Sequence, residues 1–276
     1  MAQEALLSRI NELPRIQKVL QDLLNMVNED EVDFEQLSQK ISTDQVLSAR
    51  LLRMANSAHF GGNTAVSSVH QALLRVGTGP VRTLVVASVL SSAFPKVKTL
   101  DLNQYWIDTF EVSVIASKIA EQMKVDPHEV FTTGILHNIG ELMIHTLVPE
   151  AAVQIATRTQ NGEDAISVQE ELLNISAPAL GAKLARSWHF PAPMVDAIAN
   201  FHEPRDAELS PQMATTIHLA RTINRDWDEL MTDESKMRYI NEHPDSRLLQ
   251  IPADFAATID KFRGSGRELA AQLNAA

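Results

Sequence analysis

The sequence predicts an all-α protein. Apolar residues recur at spacings of three and four almost throughout, as in Leu13, Ile16, Val19, Leu20, Leu23, Leu24 and Val27, which share one helix face. No run that alternates apolar and polar residues between turn signals reads as a strand. The third observation is size: 276 residues, 45% of them hydrophobic, can bury a substantial core in one large domain or two small ones.

The elements follow in order. A first helix carries Leu13 to Val27. Asp33 opens a second, and with Gln36 three residues on it makes an Asp-x-x-Gln pattern resembling a capping box. A third helix contains Leu47 to Ala55 and stops at Gly61-Gly62, and a fourth covers Val69 to Val76 and stops at Gly77. Gly77-Thr78-Gly79-Pro80 lacks the Gly-Lys-Ser/Thr continuation of a phosphate loop, so it reads as a helix stop, a Thr cap and an early-helix proline. Phe94-Pro95-Lys96-Val97-Lys98 breaks the apolar periodicity and joins an N-terminal helical bundle, about 12–95, to a second helical segment, about 96–208. Asp126 before Pro127 marks another helix start, and Asn161-Gly162 ends the segment after Pro149. Past Glu208 the chain becomes more charged, as in Asp226-Trp227-Asp228-Glu229, and it closes with Gly264-Ser265-Gly266 and a short Ala-rich helix. This C-terminal helical extension, 209–276, is free to pack on the core or to make homodimer contacts. The signals add up to about a dozen helices, with ends placed to about two to four residues.

Composition narrows the function classes. With no cysteine, neither a disulfide framework nor a thiolate metal site is available, which points to the cytoplasm. The first ten residues show no basic stretch followed by an apolar one, and Leu84 to Leu90 is far too short to span a bilayer. A formal net charge of -11 opposes contact with nucleic acid or an anionic membrane, and no basic run counters it.

The candidate chemistry centres on Gly134-Ile135-Leu136-His137-Asn138-Ile139-Gly140. His137, Glu141 and His145 are spaced by four residues, so they lie along one helix face. The outer imidazoles then lie about 12 Å apart along the axis and cannot hold one ion. They serve as a hydrogen-bonded stripe, or two of them join Asp108, His202 or His218 in a smaller site. Asn56-Ser57-Ala58-His59-Phe60-Gly61-Gly62 reads either as a polar turn that contacts a ligand or partner, through Asn56, Ser57 and Phe60, or as a helix end anchored by Phe60. Met26, Met54, Met123, Met143 and Met194 fall mostly on apolar faces as core filler. No Ser-His-Asp arrangement or paired-carboxylate site emerges from spacing.

A longer set of motifs resembles a known family. They are Leu13-Pro14; Ile41-Ser42-Thr43-Asp44-Gln45-Val46-Leu47-Ser48-Ala49-Arg50-Leu51-Leu52-Arg53-Met54-Ala55-Asn56-Ser57 with Phe60; Ser68 to Gly77; Tyr105-Trp106; Gly134 to Gly140; Gly181-Ala182-Lys183-Leu184; Trp188-His189-Phe190-Pro191; and Ala197 to His202. In order and spacing they resemble the HDOD family, the HD-related output domains of bacterial signalling proteins, over about 12–208, with Asp44-Gln45 where the family usually has Asp-Pro. The resemblance implies a compact multi-helix HD-like domain whose ancestors held two divalent cations through a His-Asp pair. Here the pair is His137-Asn138, and asparagine offers one neutral carbonyl oxygen in place of a bridging carboxylate. Asp108 stands where a first histidine is expected, Ala177 where another is, Phe201-His202 replaces a double histidine, and His218 falls where a terminal aspartate could lie. On its own, His137 reads first as a hydrogen-bonded residue of a buried helix. The resemblance thus implies a vestigial site of Asp108, His137, Asn138, His202 and His218, with Glu141 beside it as a further ligand or partner contact, and no catalytic residue, metal or cofactor. The expected function is a non-catalytic signal-transduction module that binds an unidentified signalling protein or relays a conformational state. The alternatives are a divergent metal-dependent phosphohydrolase or phosphodiesterase, and a receptor that holds a nucleotide second messenger in the vestigial pocket.

Overall fold

The computed structural model describes residues 18–29, 31–56, 65–94, 97–123 and 125–274. Among them are seventeen α-helices, two 3-10 turns and no strand, so the all-α class holds. Leu13, Ile16, Ser57, Phe60, the Gly61-Gly62 stop and the Pro95-Lys96 junction lie outside the described residues. The chain divides into two compact units, the described residues of 14–95 together with 271–274, and those of 96–270.

The first unit holds α1 (Lys18–Val27), α2 (Phe34–Ser42), α3 (Gln45–Ala55), α4 (Val69–Val76) and α5 (Thr78–Ala93). α5 is apolar all round, with Val81, Val85, Val86, Val89 and Leu90 buried, and α1, α3 and α4 pack on it. The stripe Leu20, Leu23, Leu24 and Val27 is the buried face of α1, as its spacing requires. Asp33 caps α2 by accepting the N–H groups of Glu35 and Gln36. The Gln36 side chain donates to the Asp33 carboxylate at 2.9 Å, where a capping box would have it reach the cap's backbone. Gly77, at φ +83°, ends α4 and starts α5 directly, so the expected Thr78 cap does not form and Thr78 is the first helical residue. Asn56, one of the four expected contact residues, is committed to the backbone of Val66. Its amide donates to Val66 O at 2.8 Å and accepts from Val66 N–H at 2.8 Å.

The second unit is built on the 22-residue α6 (Leu102–Met123). α7 (Pro127–Leu136) packs along it so tightly that a Cβ on Gly134 would come within 2.8 Å of the Ser113 backbone. Asp126 caps α7 by accepting His128 N–H, with Pro127 in its first turn as the sequence predicts. Then come α8 (Ile139–Leu147), α9 (Pro149–Gln160), α10 (Ala165–Leu173), α11 (Ala177–Ser187) and α12 (Ala192–Asn200). α8 and α11 cross backbone to backbone at Gly140 and Gly181. α13 (Pro211–Asp226) lies along α6, followed by α14 (Asp233–Glu242), α15 (Pro244–Leu248), α16 (Phe255–Phe262) and α17 (Ser265–Asn274). Residues 209–270 therefore belong to the same compact unit as 97–208. No single described helix is long and apolar enough to cross a membrane.

Candidate functional site

Four segments of the second unit converge on one cavity of about 590 Å³, within the usual range for small-molecule sites. α6 turns Gln104, Tyr105, Asp108 and Val112 toward it, at spacings that keep side chains on one helix face. His137 and Asn138 enter from the junction of α7 and α8, and Glu141 from the first turn of α8. His202 comes from the turn after α12, and His218, Arg221, Thr222 and Arg225 from one face of α13. All five residues of the expected vestigial site, with Glu141, therefore line a single cavity.

The His-Asn pair does not sit within a helix. α7 ends at Leu136, and Asn138, at φ −107° and ψ 11°, breaks the chain before α8 begins. The expected stripe of His137, Glu141 and His145 on one continuous helix is thereby corrected. His145 is not part of the cavity lining and instead hydrogen-bonds Thr99 at 2.8 Å.

Asn138 is held on both sides of its amide. The Tyr105 hydroxyl donates to its Oδ1 at 2.9 Å, and its Nδ2 donates to Thr109 Oγ1 at 2.8 Å. Thr109 gives its own proton to Tyr105 O at 2.7 Å, so it has only an acceptor left for Asn138. Burial pushes the Tyr105 phenol well above its ordinary pKa, which keeps that donor protonated.

His137 is 2% exposed and makes a short hydrogen bond from Nδ1 to Gly134 O. A carbonyl only accepts, so Nδ1 carries the proton and Nε2 keeps its lone pair. Desolvation, aided by the Arg221 charge, lowers the imidazole to about 3, so it is neutral at pH 7. The buried Phe201 packs edge-on against His137, ring centroids 5.3 Å apart, and the Arg221 guanidinium lies 5.0 Å from the Phe201 centroid. No ion pair or hydrogen bond ties Arg221 to another described residue. His202 retains exposed area at the cavity, yet desolvation by the surrounding protein, with Arg221 and His218 nearby, lowers it to about 4. His218 is oriented from behind by a 2.6 Å bond between Nδ1 and the Asp245 carboxylate. Thr222 and His243 lie 3.2 Å apart without forming an activated hydroxyl. Thr222 donates to Leu219 O, and His243 Nδ1 accepts the N–H of Asp245 as the cap of α15.

Sequence reasoning missed Arg221, the role of Tyr105 and Thr109, and Asp245. Arg221 lies three residues after His218, which places both on one helix face, and that spacing is the signal that could have found it.

A binuclear cation centre does not fit these side chains. Asn138 presents a hydrogen-bonded amide where a bridging carboxylate is needed, and a guanidinium stands in the same cavity. Among the described residues no group of three or more His, Asp or Glu is placed to hold a metal ion.

Comparison with known proteins adds the family. The HDOD domain model matches residues 13–204. A solved structure from Shewanella amazonensis SB2B, described as a candidate phosphohydrolase, is 36% identical, with 98% of each chain covered and a TM-score of 0.84. An HDOD domain protein of unknown function from Geobacter sulfurreducens shares the fold at 19% identity and a TM-score of 0.75, covering 99% of this chain and 98% of that one. A protein of Treponema pallidum (strain Nichols) is 24% identical over 222 residues, 78% of this chain, which spans only 43% of that protein.

Proposed function

We propose that this chain, which belongs to the HDOD domain family, is a non-catalytic signal-transduction module of the cytoplasm. It acts by binding a signalling protein or relaying a conformational state. The observation that supports this reading is the Tyr105–Asn138–Thr109 network. The position that must bridge two cations in a working HD site is built into a neutral hydrogen-bond chain whose last member can only accept. The other departures agree with it: Phe201, in place of a histidine, packs on His137 and supports Arg221. A signal-transduction description is also carried by a solved Marinobacter aquaeolei VT8 protein of the same fold, 20% identical, with a TM-score of 0.72 over 97% of this chain and 61% of that one.

The Shewanella relative's description makes hydrolysis the reading to test against. Purified protein incubated with manganese and magnesium is assayed by elemental analysis, then screened against nucleotides and phosphodiesters. The expected outcome is no stoichiometric metal and no turnover. Stoichiometric metal with turnover that His137→Ala abolishes would overturn the proposal.

A further inference from the structure

We infer that the cavity is a receptor site for a small phosphate monoester, clamped by the Arg221 guanidinium. The inference rests on the non-catalytic reading, because it has the site hold its ligand without cleaving it.

Arg221 is a guanidinium without a direct partner: the Glu141 carboxylate across the cavity acts on its charge but forms no ion pair with it. A guanidinium turned into a protein cavity is ordinarily matched by a carboxylate, since an unpaired charge away from bulk water is expensive. Arg221 makes no ion pair with any described residue, and its guanidinium lies over the Phe201 ring, 5.0 Å from the centroid. The ring leaves the guanidinium's in-plane N–H groups free, and those are the groups that bind phosphate in a two-pronged geometry.

The neighbours add recognition. His218 directs its Nδ1 proton to Asp245, which leaves Nε2 as an acceptor for a ligand hydroxyl or a protonated phosphate oxygen, and the neutral His202 beside it has one N–H to offer an anion. Asp101, Asp108 and Glu141 also line the cavity and are exposed, and Asp108 already accepts from Gln104 at 3.0 Å. These carboxylates oppose an anion and limit how much negative charge can enter. The site therefore favours a single phosphate on an uncharged body over a polyphosphate, and about 590 Å³ accommodates a nucleoside or a sugar as that body.

The test is calorimetric titration of the full chain with inorganic phosphate, AMP, GMP, glucose 6-phosphate and ATP, at low and high salt. At least one monoester should bind more tightly than inorganic phosphate and than ATP. The AMP, GMP and glucose 6-phosphate arms distinguish a nucleotide from a sugar phosphate. Arg221→Gln should weaken binding at least about tenfold and Arg221→Lys less, since lysine keeps the charge but loses the fork. Ligand should also shift the ring-proton resonances of His202 and His218, a readout that separates binding in the cavity from binding elsewhere. No binding by any probe at 1 mM, or binding unchanged in Arg221→Gln with the histidine resonances unmoved, overturns the inference. A probe that binds through Arg221 and is then hydrolysed leaves the phosphate site standing and removes the non-catalytic reading.

Discussion

At position 138 a neighbouring hydroxyl decides which side chain fits. Thr109 donates to Tyr105 O, so Asn138→Asp sets a carboxylate oxygen against a lone pair. The variant should lose about 1–3 kcal/mol of stability in urea titration at pH 7, the usual cost of an unmatched buried polar group. It should still take up no stoichiometric manganese, since Arg221 remains. A variant as stable as the wild type that binds metal would show that the network does not select asparagine. His137 gives a second test at this scale. Its folded pKa of about 3 lies below the ordinary 6.5, so the unfolded chain binds more protons between those values. Its stabilising contribution is complete above pH 6.5 and is lost as pH falls toward 3, about 2 kcal/mol by pH 5. His202 acts in the same direction. His137→Gln should flatten, but not abolish, the fall in stability between pH 7 and pH 5, and an unchanged slope would remove His137 from the account. Asp108, His137, Asn138, Glu141, His202 and His218 were legible because a motif with fixed spacing marks them. Arg221 was not, because a single arginine on the polar face of an amphipathic helix looks like any solvated charge until the cavity beside it is seen.

Among the helices, the sequence is clearest where a local cap or stop acts alone. Asp33, Asp126 and Gly77 mark ends because each meets backbone groups within a few residues. The break at His137-Asn138 carries no such mark. Apolar residues continue across it, with Ile135, Leu136, Ile139 and Leu142 all buried, so periodicity reads one helix where there are two. Breaks of this kind, with short pieces such as the five-residue α15, explain why about a dozen helices were expected and seventeen are found among the described residues. What fixes α8 after the break is its crossing with α11. A Cβ on Gly140 would come within 1.8 Å of Ala177 O and 2.9 Å of Gly181 N. Gly140→Ala must push the helices apart and should cost about 2–3 kcal/mol, toward the upper end for overpacking. A denaturation midpoint equal to the wild type's would mean that the crossing yields easily. Because Asn138 and Glu141 flank this crossing, the same variant should also weaken any ligand held in the cavity.

Across the second unit, the contact that sequence reading could least foresee joins residues more than 150 positions apart. Glu111, 4% exposed, lies in an apolar stretch of α6 among Phe110, Val112 and Val114. A buried carboxylate needs donors, and the C-terminal segment supplies them. Gly264 N–H donates to Oε1 at 2.9 Å, Gly266 N–H to Oε2 at 2.7 Å, and Arg263 Nη1 approaches Oε1 at 3.3 Å. Arg263 also reaches Asn224 and Asp228, so one arginine joins α6, the end of α13 and the approach to α17. From sequence, Gly264-Ser265-Gly266 is only a turn signal, since nothing local says which distant acid its N–H groups will meet. Glu111→Gln tests the strap with almost no change of shape. The carboxamide can keep the oxygen that serves Gly264 and Arg263, but its NH₂ then faces the N–H of Gly266. Loss of a buried, charge-assisted anchor should cost about 3 kcal/mol. The release should be local, so limited trypsin digestion should cut after Arg263 or Arg267 faster in the variant while the rest of the chain stays resistant. Equal cleavage rates and equal stability would mean that packing of α16 on α6 holds this segment without the carboxylate.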